Sequence, residues 1–70
     1  MKTDRELIAE AIALLNKDDY GGAARVLESS EKLRHYADDC RDITMSWQQG
    51  AVVGTLESEL ENLKDEGERA

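Results

Sequence analysis

Apolar side chains recur at spacings of three and four from one end of this chain to the other, and no proline interrupts them. That period belongs to amphipathic α-helix, and no alternating run of the kind a half-buried strand needs is present. The lack of phenylalanine and the presence of only three aromatic residues point away from sheet as well. The expected fold is all-α. At seventy residues it is one small helical domain over 1–70.

Local signals divide the chain into three helices. Thr3-x-x-Glu6 is a capping box, so helix 1 is expected over about 4–16, with Ile8, Ala11, Ile12 and Leu15 as its apolar stripe. The stretch Asp18-Asp19-Tyr20-Gly21-Gly22 turns the chain, and either Asp can cap the second helix. A long helix 2 is expected over about 20–45, because Val26, Leu27, Leu33, Tyr36, Ala37, Cys40 and Ile43 keep the helical spacing without a Gly or Pro. Ser46-x-x-Gln49 is a second capping box and starts helix 3, expected over about 47–65, with a break at Gly50 as the competing reading. A frayed charged tail is expected over 66–70. Gly50 and Gly54 sit one turn apart, and each costs about 1 kcal/mol in a helix interior, so two helices are expected to approach closely there, with a bend of the chain as the alternative.

Helix lengths then suggest assembly. Helix 1 would span about 20 Å and helix 2 about 37 Å, so the rear half of helix 2 must lean on helix 3 or on another copy of the chain. Tyr36, Cys40 and Ile43 there, with Val53, Leu56 and Leu60 on helix 3, are the expected core or dimer contacts. A homodimer is the expected way to complete so small a core, with a lopsided monomeric three-helix bundle as the alternative.

The segment from Leu7 to Ser30 resembles one tetratricopeptide-repeat hairpin. Ala11, Leu14, Tyr20, Ala23, Leu27 and Ser30 fall at that family's positions for small, large, aromatic, small, large and small residues. The resemblance implies an antiparallel N-terminal helical hairpin with a partner-binding groove. The chain holds no second copy, and such repeats normally need neighbours to bury their faces.

Catalytic groups are scarce. Glu28-x-x-Glu31 resembles the metal-binding carboxylates of all-α nucleotide pyrophosphohydrolases, but the second motif those enzymes need has no match: Glu61 and Asp65 are four apart instead of three. Glu31, His35, Asp38 and Asp39 could face one another on successive helical turns, yet one His is too few for a binuclear bundle site. Cys40 lies in the apolar register beside acidic residues, which disfavours a thiolate. No enzyme activity, cofactor or metal is expected. A lone thiol and a charged N-terminus in place of an apolar leader read as cytoplasmic.

Charge is the most informative feature. The net charge is −7, and it is unevenly placed. Residues 1–34 carry six basic and seven acidic side chains, whereas residues 35–70 carry three and nine. Glu57, Glu61, Asp65 and Glu68 form a ridge on helix 3, and Asp38, Asp39 and Asp42 form a second cluster. Such a surface repels nucleic acid and anionic membrane and attracts a basic protein. As an imitation of DNA it is sparse, rising about 6 Å per charge against 3.4 Å per phosphate on one strand. A solvated face that keeps the protein soluble is the bland alternative.

Trp47 is expected to anchor the core near the junction of helices 2 and 3, with a binding hot spot as the alternative role. Together these features predict a small acidic regulator or inhibitor that docks on another, basic protein. In character it is similar to phage inhibitors of nucleic-acid-handling machines, such as anti-CRISPR or anti-restriction proteins. The candidate partner-binding residues are Glu57, Glu61, Asp65, Glu68, Asp38, Asp39, Asp42 and Trp47. The alternative is a structural adaptor using the groove of the repeat-like hairpin.

Overall fold

A computed structural model describes the backbone from Lys2 to Arg69 and the side chains from Lys2 to Leu63. The described residues are all-helical, in four helices: α1 (Asp4–Asn16), α2 (Tyr20–Glu28), α3 (Arg34–Arg41) and α4 (Ser46–Arg69). Helix α2 packs against both α1 and α3, while α4 lies mainly along α1 and touches α3 more lightly.

Helix α1 begins where the capping box demands. The Glu6 amide donates to Thr3 Oγ1 and the Thr3 amide donates to Glu6 Oε1, both at 3.2 Å. Leu7, Ile8, Ala11 and Leu15 are buried on one face. The chain then reverses through Asp18 at φ 63°, a left-handed conformation that Asp tolerates better than most residues. Asp19 caps α2 by accepting the Gly22 amide at 3.0 Å.

The single long helix expected over 20–45 is two helices. Helix α2 stops at Glu28 because the Ser29 hydroxyl donates to the Val26 carbonyl and the Ser30 amide turns back to the Leu27 carbonyl at 3.3 Å. Serine competes with its own backbone in this way, and two in succession weaken helix continuation. The connection lets Leu33, 2% exposed, fold inward as the lead-in to α3. An ion pair between Arg41 and Glu28 bridges α2 and α3.

This fold-back removes the premise for a dimer. Ala37, Cys40 and Ile43 are buried within one chain, in a cluster with Ile8, Leu15, Leu27, Leu33 and Leu56. Tyr36, Val53 and Leu60 pack against that cluster, half-buried. Every residue expected at a core or dimer contact therefore serves the core of a single chain. The N-terminal hairpin is present, but α3 covers one of its helices and α4 the other, where a tetratricopeptide array would place further repeats.

Helix α4 starts at Ser46, as expected, and runs through Gly50 without a break. Its cap differs from the expected Ser46–Gln49 box. Gln48 Oε1 accepts the Thr44 amide at 2.9 Å, the Thr44 hydroxyl at 2.8 Å and the Met45 amide at 2.9 Å. The backbone stays helical to Arg69, past the expected end at 65; the side chains of the expected tail over 66–70 lie outside the described residues. No close helix approach occurs at the glycines. Gly50 and Gly54 are exposed, with nothing within 4 Å of where a Cβ would stand.

Candidate protein-binding surface

The corner between α3 and α4 carries the largest exposed apolar side chains. Ile43 turns into the core, 8% exposed, while Met45 and Trp47 project outward, 61% and 68% exposed. The expected role of Trp47 as a core anchor is thus corrected: Leu56, Val52 and Val53 supply the inward face of α4, and Trp47 lies on the opposite side of the helix. The indole N–H points toward Met45 Sδ at 3.3 Å, so the two side chains form one patch.

Beside that patch lies an open cleft of about 280 Å³ between α3 and α4. Trp47, Ala51, Val52 and Thr55 line it from α4, and Asp39 and Asp42 line it from α3 and its cap. Two of the expected acidic residues and the tryptophan are thereby brought around one depression. Asp38 is exposed on α3, 4.0 Å from Arg41.

Glu57 and Glu61 are exposed on the outer side of α4. Glu61 also borders a wider cleft against α1, of about 670 Å³, where Arg5 and Glu6 face it. Asp65 and Glu68, the other members of the ridge, lie outside the described side chains. Glu59 turns away from the ridge toward α3, where its carboxylate accepts the Tyr36 hydroxyl at 3.4 Å. Burial and the Glu59 charge raise the Tyr36 pKa, with smaller help from Asp39.

The remaining sequence candidates are not brought together in one site. Glu28 is held by Arg41, and Glu31 sits in the turn before α3, off the helical face that carries His35 and Asp38. Among the described residues no group of three His, Cys, Asp or Glu side chains is arranged to hold a metal ion. Cys40 is fully buried, and burial, with Asp39 adding and Arg41 opposing, pushes its thiol up to about 11. A thiol so placed is a core side chain and not a nucleophile.

Gln49, expected to close a capping box with Ser46, has a different role. From the first turns of α4 its amide donates to the Leu15 carbonyl and, at 3.0 Å, to the Asp18 carboxylate, while its Oε1 accepts the Tyr20 hydroxyl at 3.3 Å. It ties α4 to the reversal between α1 and α2 and so orients the corner that displays Trp47. The signal in the sequence is weak, since a Gln two residues after a Trp is equally at home in a cap.

No family model, curated protein or solved structure matches the chain. No helix among the described residues is long and apolar enough to cross a membrane.

Proposed function

We propose that this chain is a small acidic regulator or inhibitor that binds a basic partner protein through the face formed by α3 and α4. The observation that carries the reading is Trp47, 68% exposed in a cleft whose other wall bears Asp39 and Asp42. A large aromatic side chain left in water in so small a protein loses burial energy of about 1.5–3 kcal/mol, and tryptophan is a favoured centre of binding hot spots. Glu57 and Glu61 extend the negative field along α4, with Asp65 and Glu68 continuing it in sequence. Such a field speeds encounter with a positive surface and repels nucleic acid. Basic grooves of nucleic-acid-handling proteins are the matching class of target, in the manner of phage inhibitors. The reading needs no second copy of the chain, no cofactor and no catalysis.

The test is capture from a host extract on the immobilised chain at about 50 mM salt, with elution by a rising salt gradient. A discrete basic protein should be retained and released as salt rises. Retention that ignores salt, or retention only of acidic proteins, would contradict the reading.

A further inference from the structure

The outward side of α4 has a pattern that its own fold does not explain. At about 100° per residue, Trp47, Gly50, Ala51, Gly54 and Ser58 fall within about 60° of the direction opposite the buried Leu56. All five are exposed. Past Trp47 they form a smooth track of about two turns with no bulky side chain. The two glycines cost helix stability, and with nothing within 4 Å of either there is no internal contact to offset it. Acidic groups run along both edges. Glu57 flanks the track on one side and Glu61 stands at its far end, past Ser58, while Asp39 and Asp42 stand across the cleft on the other side.

We infer that this face is a seat for a basic amphipathic α-helix of the partner, laid along α4 with its small apolar face on Gly50, Ala51 and Gly54, one end against Trp47, and its Lys and Arg side chains divided between the two acidic edges. The inference rests on the proposed function and names the partner element and the site. Small side chains on the track let two helix axes approach closely, which a bulky face forbids. Charge complementarity selects the occupant. A second copy laid on the same face would oppose the acidic edges to one another, and an anionic membrane or nucleic acid would be repelled. A helix with cations on both flanks meets opposite charge on each side.

Trp47 is the only tryptophan in the chain, so its fluorescence reports on this face alone. The probe is a synthetic amphipathic peptide of about sixteen residues, enough to cover the roughly 16 Å from Trp47 to Ser58, with Ala and Leu on one face and Lys along both flanks. Titration at about 50 mM salt should shift Trp47 emission to the blue. Asp39→Asn/Asp42→Asn should weaken binding by at least about tenfold, and Glu31→Gln, one charge removed away from the face, should leave it unchanged. Trp47→Ala should lose most binding by anisotropy of the labelled peptide while circular dichroism still reports helix. Failure of the Lys peptide to bind, or equal binding of its Glu counterpart, overturns the inference. So does a Trp47 shift produced by raising the protein concentration alone, which would mean that a second copy occupies the face. Peptide binding by anisotropy with Trp47 emission unmoved overturns the seat on α4 but leaves the acidic-docking reading standing, since that reading is decided by the captured host partner.

Discussion

Gln49 donates its side-chain amide to the Asp18 carboxylate at 3.0 Å, joining α4 to a turn thirty-one residues earlier in the chain. The same amide reaches the Leu15 carbonyl, at the end of α1. One side chain thus holds the left-handed reversal at Asp18, the start of α2 at Tyr20 and the first turns of α4 in one arrangement.

Gln49→Ala should therefore cost more than an ordinary surface change. It leaves the Asp18 carboxylate and the Tyr20 hydroxyl without this partner, at about 1–3 kcal/mol for the set. Urea unfolding should show a lower midpoint with an unchanged slope. Gln48→Ala should cost about 1 kcal/mol, as the loss of a cap does. Equal midpoints for Gln49→Ala and the parent would mean that the clamp contributes nothing.

The contrast between Gln48 and Gln49 marks how far the sequence could be read. The starts of α1 and α2 were legible because Thr3, Glu6 and Asp19 act on backbone within three residues of themselves. The break at 29–33 was not. A five-residue connection preserves the three-four phase of the apolar positions, and the Ser29 hydroxyl ends α2 without the Gly or Pro that usually marks a stop. From that one unseen break came the overlong helix and the dimer argument built on its length. Trp47 was misplaced for a related reason. Its spacing continued the register of Cys40 and Ile43, but α4 starts afresh at Ser46 and sets a new face inward. The acidic candidates were legible because charged side chains default to the surface. Which of them share a cleft depended on how α3 meets α4, and that is tertiary information.

Three helical glycines should respond to alanine in opposite directions. Gly50→Ala and Gly54→Ala meet open space, so each should stabilise the chain by about 1 kcal/mol. Gly22→Ala should destabilise it, because the new Cβ would stand 2.8 Å from Asp19 Cγ and displace the cap of α2. Thermal midpoints of the three variants give the comparison directly. Destabilisation by Gly54→Ala would mean that its surroundings are not open.

Cys40 gives a pH signature. Burial and Asp39 lift its thiol to about 11, so the folded state holds the proton more tightly than the unfolded chain does. The resulting stability is fully present below the ordinary thiol value and is lost as pH climbs toward about 11. Thermal midpoints should fall between about pH 9 and 11, and Cys40→Ala should flatten that part of the decline. Burial also raises the pKa values of Tyr20 and Tyr36, which bend the curve the same way in both proteins. A thiol reagent at neutral pH should label Cys40 only after denaturant is added; rapid labelling of the folded chain would contradict its burial.

The most direct measurement on the docking surface is the association rate of the captured host partner, recorded as a function of salt for the parent and for Glu57→Gln/Glu61→Gln/Asp65→Asn. The control is Glu31→Gln, an exposed side chain in the turn before α3 and off the ridge. The ridge variant should keep its helical signal and its thermal midpoint, because Glu57 and Glu61 are exposed and the change relieves like-charge repulsion at i,i+4 of a few tenths of a kcal/mol. Its association should be slower by about tenfold or more at low salt, with a flatter salt dependence, while Glu31→Gln matches the parent. Equal association rates for the ridge variant and the parent at low salt would reduce the acidic face of α4 to a solvated surface and contradict electrostatic docking as the way this chain works.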